Sequence, residues 1–153
     1  MATSGQGQKQ DLNEPLREAG KFHGHLGPFL AIGTRMGLIG IRELRTKKNK
    51  EGMRVTVMLK YSVPFSCVID GIQVVTNCTM GNKKLRLRRG SSEIAARFEF
   101  QNGGQVTVKV NPATFDRLKN GLLAEESSPE DVRKLVEIVA SMPEEELFII
   151  EGK

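Results

Sequence analysis

Hydrophobic and polar positions alternate along this chain in two distinct periods, and the switches between them mark its elements. Leu12, Leu16 and Ala19 recur at helical spacing and predict a first helix from about Leu12 to Phe22. The run His23-Gly24-His25-Leu26-Gly27 breaks that period, and Pro28 suits the first position of a second helix, which should reach about Arg45. Gly33, Gly37 and Gly40 fall on one side of it, at a cost in helix propensity that close approach by another backbone would offset. Lys47 to Gly52 reads as a polar turn. From Met53 to Val63 the period changes to two, with Val55, Val57 and Leu59 against Arg54, Thr56, Met58 and Lys60. That is a half-buried strand, ended by Pro64.

Ser66 is a favourable N-cap residue for a third helix ending near Thr76 to Cys78, with Ile69, Ile72 and Val75 on its apolar side. Thr79-Met80-Gly81-Asn82 reads as a turn. Strands are predicted over about 84–89, 93–100 and 105–110, the last two joined by a hairpin at Asn102-Gly103-Gly104. Asn111 or Pro112 opens a helix to about Leu122. Ser127 or Ser128, followed by Pro129, opens another to about Met142, and Leu147 to Ile150 reads as a last short strand. This order implies an α+β domain of two layers, with a mixed, largely antiparallel sheet packed by helices. Residues 1–10 read as a disordered tail, and 11–153 as a single domain.

Length and composition agree with that picture. The 153 residues suffice for one hydrophobic core. The most apolar stretch, Leu26 to Leu44, holds Arg35, Arg42 and several glycines and is not a membrane span. Met1 to Gln10 lacks a secretory pattern, so a cytoplasmic location is expected. The formal net charge is +5, with its densest cluster at Lys83, Lys84, Arg86, Arg88 and Arg89. Leu85 and Leu87 interleave with these, as in a strand with one solvated face. With no Trp and one Tyr the chain offers little for base stacking, and nucleic acid is not the expected partner.

The candidate chemistry lies in three residues. His23 and His25 are the only histidines, two apart, so that in an extended segment both imidazoles point to one side. Cys67 sits just inside the third helix, where free N–H groups and the helix dipole favour thiolate. In a compartment that keeps thiols reduced, a lone cysteine of this kind points to metal binding or catalysis. If the second helix, the returning strand and the third helix pack on one another, the two helices run parallel and their starts lie at one end. His23, His25 and Cys67 would then face a common centre suited to zinc, nickel, cobalt or iron, with a coordination position left open. Asp70, one turn after Cys67, could orient a histidine, take a ligand place, or serve as the catalytic base. Gln73 follows on the same side. Cys78 is eleven residues beyond Cys67, roughly 16 Å along a continuous helix, and is not expected to join the site.

These residues also carry a family resemblance. Phe22-His23-Gly24-His25-Leu26-Gly27-Pro28, followed by Leu30, Gly33 and Met36, resembles the opening motif of the FmdE/FwdE-like family, named for a component of formylmethanofuran dehydrogenase. Cys67-Val68-Ile69-Asp70-Gly71-Ile72-Gln73, then Asn77-Cys78-Thr79-Met80-Gly81-Asn82, is similar to its second motif. The resemblance implies a fold shared with the catalytic domain of glyceraldehyde-3-phosphate dehydrogenase, often dimeric, and a metal site, commonly zinc. Its ligands would be His23, His25 and Cys67, with Asp70, Gln73, Cys78, Thr79 and Asn82 as further motif positions. It also implies a place in one-carbon metabolism and redox-enzyme partner subunits. Two departures stand out. Gly27 occupies a position where the family usually has cysteine, and no cysteine follows Cys78 to build the C-terminal zinc module of some members. The expected function is therefore metal binding, in its fullest form an open-site metalloenzyme. The alternatives are a non-enzymatic metal-carrying accessory protein or sensor, a thiol enzyme using Cys67 with a histidine base, and a nucleic-acid module built on the basic strand.

Overall fold

The computed structural model describes residues 11–44, 52–101, 103–123 and 128–152. The expected tail, most of the polar turn after the second helix, and Asn102 of the hairpin lie outside these residues. Helix α1 spans Asn13–His23, α2 Pro28–Leu44, strand β1 Met53–Leu59 and helix α3 Cys67–Thr76. Strands β2 (Leu85–Arg89), β3 (Ala95–Phe100) and β4 (Gln105–Val110) follow, then helices α4 (Pro112–Leu123), α5 (Pro129–Ser141) and α6 (Glu144–Leu147), and strand β5 (Phe148–Gly152). The sheet runs β2-β1-β3-β4-β5. The β1–β2 pair is parallel and the others are antiparallel, so the sheet is mixed and the fold is α+β in two layers.

The strand alternation decides which face meets the helices. Val55, Val57, Leu59, Ala96, Phe98, Val106, Val108 and Val110 point into the core, where α2 is buried along nearly its whole length. Below the starts of α2 and α3, Phe29, Phe65 and Phe115 meet edge to face at centroid separations of 5.4 to 6.1 Å. Helices α2 and α3 run parallel and almost touch. A Cβ added at Gly33 would stand 2.1 Å from the Val68 carbonyl oxygen, and one at Gly71 would stand 2.5 Å from the Leu30 oxygen and the Thr34 nitrogen. Gly37 of α2 faces Val75 of α3, whereas Gly40 faces the Phe98 ring of β3. Two of the three predicted glycines therefore serve the helix contact and the third serves the sheet.

Three expectations change. Strand β1 stops at Leu59 rather than Val63, because its pairing with β2 ends at Leu59 and that with β3 at Met58, leaving residues 60–63 without a ladder. Ser66 occupies the N-cap position of α3 but makes no side-chain cap. A tight turn feeds the helix instead, with Cys67 N–H donating to the Pro64 carbonyl, Val68 to Phe65 and Ile69 to Ser66. The short helix α6 precedes the last strand, which is displaced to Phe148–Gly152. Ser128, by contrast, caps α5 in a reciprocal capping box with Asp131. No helix among the described residues is long and apolar enough to cross a membrane.

The end of α2 is tied down by a fork. Arg42 Nη1 and Nη2 donate to the two carboxylate oxygens of Glu144 at 2.8 and 2.9 Å. The guanidinium holds the Glu144 carboxyl below the usual carboxylate range. A folded-state pKa that is depressed contributes stability above the unfolded value, and that contribution is lost as pH falls through it. Both side chains are about a third exposed, so the pair is worth less than ~1 kcal/mol. Glu144→Gln should cost up to about 1 kcal/mol at pH 7 and nothing once pH is well below the glutamate range of about 4.3. Urea midpoints of both proteins across that range check the convergence.

Candidate functional site

The site grows from the point where α1 ends. Gly24 takes a left-handed conformation, φ 109°, and its N–H donates to the Gly20 carbonyl, closing α1 and reversing the chain immediately after His23. The reversal brings the His25 ring to 4.9 Å from that of His23, tilted by 40°. From the other side the parallel α3 presents Asp70, whose Oδ2 lies 2.6 Å from His23 Nδ1. The predicted juxtaposition of the two helix starts is thus present, and it rests on the glycine contact between α2 and α3.

The imidazole of His23 is held by a chain of hydrogen bonds. A carboxylate only accepts, so the neutral His23 carries its proton on Nδ1 and leaves a lone pair on Nε2. Asp70 Oδ1 accepts from Gln73 Nε2 at 3.1 Å, and Gln73 Oε1 accepts from the Met80 N–H at 3.0 Å. Both carboxylate oxygens of Asp70 are therefore committed. Of the three roles expected for it, the geometry matches the acceptor that orients a histidine.

Cys67 departs from expectation in its electrostatics. The N–H groups expected to stabilise a thiolate are already paired within the turn that feeds α3. Burial pushes the half-buried thiol up, and the Asp70 charge one turn away pushes it further. Among the described residues, no three His, Cys, Asp or Glu side chains stand close enough to form a ready-made metal cluster. The structure brings together His23, His25, Asp70 and Gln73, and places Cys67 on the same helix as Asp70 without closing a three-donor set.

The remaining motif positions have structural roles. Cys78 is wholly buried, and its thiol donates to the Met53 carbonyl at 3.3 Å. Thr79 and Asn82 exchange bonds, Thr79 N–H to Asn82 Oδ1 and Asn82 N–H to Thr79 Oγ1, both 3.0 Å. Asn82 Nδ2 also donates to the Asn77 carbonyl, fixing the turn whose Met80 N–H anchors Gln73. At Gly27 a Cβ would lie 3.8 Å from His25 Nε2, an ordinary contact. A side chain fits there beside the imidazole, and glycine leaves the space open. Sequence reasoning missed the apolar fringe of the site. Phe22, Leu26 and Met80, inside the two motifs, and Tyr61 and Val63, just before the second, are between 40% and 80% exposed. Their position in and beside the motifs was the available signal.

The chain is similar in sequence to known proteins in two comparisons. The chain is 28% identical over 154 residues to a probable S-adenosyl-L-methionine-binding protein of Archaeoglobus fulgidus. That alignment covers 90% of this chain and 42% of the relative, so the chain spans less than half of the relative's length. A family model described as FmdE, molybdenum formylmethanofuran dehydrogenase operon, matches residues 22–149, taking in both motifs, the whole sheet but its last three residues, and every helix except most of α1. The chain belongs to the FmdE family, named for the molybdenum formylmethanofuran dehydrogenase operon.

Proposed function

We propose that this protein binds a divalent transition metal, zinc first, through His23 and His25, with Cys67 completing the set. The observation that carries this reading is the His23 Nδ1 to Asp70 bond of 2.6 Å. A carboxylate behind one ring nitrogen fixes the tautomer and raises the basicity of the other, which is the usual support of a metal-bound histidine. A second imidazole lies beside it, and a thiol stands on the adjacent helix, a donor set that fits zinc and also nickel, cobalt or iron. Bound there, a metal would supply Lewis-acid chemistry. The chain's own contribution is to orient His23 through Asp70 and Gln73. Because Asp70 is held on both oxygens, it is a positioning group, and an open-site enzyme would need its proton carrier elsewhere. A metal carrier or accessory protein needs none.

The exposed apolar side chains in and beside the two motifs offer contact surface for a second copy or for redox-enzyme partner subunits. S-adenosyl-L-methionine, named for the Archaeoglobus relative, is the second ligand to try, although more than half of that relative lies outside the shared stretch.

Metal analysis of untagged protein, followed by calorimetric titration of the chelator-treated protein with zinc, tests the reading. About one ion per chain is expected, bound by a set of three protein donors. His23→Ala and His25→Ala should each abolish tight binding, and Cys67→Ser should weaken it. Wild-type protein that neither carries nor takes up metal, or His23→Ala protein that retains wild-type affinity, overturns it. Heat released by S-adenosyl-L-methionine and none by metal would move the function to the ligand for which the Archaeoglobus relative is named.

A further inference from the structure

The helices cover one face of the sheet, and no helix among the described residues packs on the other. Its outward positions are Arg54, Thr56 and Met58 on β1, Arg86 and Arg88 on β2, Ala95, Arg97 and Glu99 on β3, Gln105, Thr107 and Lys109 on β4, and Ile149 and Glu151 on β5. Pairing sets Arg86, Thr56 and Arg97 in one row across three strands, and Arg88, Met58 and Ala95 in the next. Arg54 stands two residues before Thr56 on β1, opposite Glu99. Basic strand β2, which alone reads as a solvated stripe, is thus one edge of a four-arginine field spanning three strands.

The charge of this field is not neutralised from within. Glu99 reaches Arg97 Nε at only 3.4 Å, and Lys109 pairs with Glu93 at 3.7 Å. Arg54, Arg86 and Arg88 have no ion pair among the described residues, nor do Lys60, Lys83 and Arg89 at the margins. Arg89 lies instead over the Tyr61 ring, 5.1 Å from its centroid. The floor between the arginines is made of short or slender side chains, Thr56, Met58 and Ala95.

We propose that this sheet face binds the phosphate backbone of a nucleic-acid duplex, without sequence preference. Guanidinium forks match phosphate oxygens in a way that a lysine point charge does not. Arg86 and Arg88 are about 6.7 Å apart along β2, and Arg86 and Arg97 about 9.6 Å apart across two strand spacings. A grid of this kind suits a partner whose charges are themselves regularly spaced, as along a duplex, better than the irregular carboxylates of an acidic peptide. No outward position of the five strands is aromatic, so unpaired bases find no stacking platform and backbone contact is what the surface offers.

Fluorescence anisotropy of a short labelled DNA duplex of mixed sequence, titrated with the full chain from about 50 to about 200 mM KCl, tests this. Four arginine–phosphate contacts predict a slope of log affinity on log salt of about −3.6. Arg86→Gln and Arg54→Gln should each flatten it by about one. Arg86→Glu with Arg88→Glu should weaken binding at least about tenfold, while Arg133→Gln with Lys134→Gln, on helix α5 beyond the other face of the sheet, should change nothing. The substituted side chains are exposed, and circular dichroism confirms that the variants fold. No binding at about 50 mM salt and a protein concentration on the order of 100 μM overturns the proposal. So does equal loss in the helix control, or displacement of the duplex by poly-L-glutamate at equal charge concentration, which would assign the face to acidic polypeptides.

Discussion

Gly33→Ala is expected to destabilise the protein by about 3 kcal/mol or more, and Gly71→Ala by a similar amount. Alanine has the higher helix propensity by roughly 1 kcal/mol, so an exposed helical glycine gains from the change. Here the sign reverses. The new methyl at position 33 would stand 2.1 Å from the Val68 oxygen and 2.8 Å from its carbonyl carbon. Those are backbone atoms of a helix, and relief requires α2 and α3 to move apart. Overpacking of a rigid core costs typically 1–3 kcal/mol and more when backbone must shift, which exceeds the propensity gain. Gly121 in α4 supplies the control, because a Cβ there meets nothing within 4 Å. Gly121→Ala should be neutral or stabilising by up to about 1 kcal/mol. In thermal melts, a 3 kcal/mol loss in a chain of this size lowers Tm by about 6 to 12 °C. A Gly33→Ala melt within about 2 °C of wild type would mean that the two helices are not in backbone contact. The same substitution should also loosen the functional site, since separation of α2 from α3 pulls Asp70 away from His23.

That dependence of site on glycine packing explains how much of the molecule was legible in the chain itself. Periodicity located the three strands around positions 55, 97 and 107 and the helices opened by Pro28 and Pro129, because burial on one face enforces those spacings. Gly33 and Gly37 announced a close helix contact, and the order helix, returning strand, helix was enough to place two helix starts at one end. What stayed hidden depends on partners distant in sequence. Nothing near Gly71 signals that it faces Leu30 and Thr34. The extent of β1 was set by where β2 and β3 stop pairing, not by its own alternation. Ser66 has the right chemistry for a cap, yet the turn from Ser62 takes the N–H groups it would have served. For the same reason the helix start does not lower the Cys67 pKa. The proximity of His23 to Asp70 was open to inference, but the commitment of the second carboxylate oxygen to Gln73, and of Gln73 to the Met80 amide, is visible only once the turn at Thr79–Asn82 is in place.

Asp70→Asn is expected to lower affinity for zinc by about ten- to a hundredfold while leaving the fold intact. The substitution keeps the shape of the side chain and removes its charge. An amide oxygen can still accept from His23 Nδ1–H, but more weakly, and an amide that turns its nitrogen toward the ring drives the proton onto Nε2, the atom that must carry the lone pair. The Gln73 bond at 3.1 Å favours that flip, because Gln73 Nε2 donates and needs an oxygen opposite it, which leaves the amide nitrogen facing the ring. His23 and Gln73 meet different atoms of the native carboxylate, so in that geometry one amide oxygen reaches only one of them and one link of the chain fails in either orientation. Gln73→Ala removes the restraint one step further out and should cost less, about threefold to tenfold, and the double variant should lose no more than Asp70→Asn alone, since both act through the same imidazole. Zinc titrations of the single and double variants give that coupling directly. If Asp70→Asn binds zinc as tightly as the wild type, the carboxylate does not set the histidine tautomer. A double variant whose losses simply add would mean that Gln73 reaches the metal by a route other than His23.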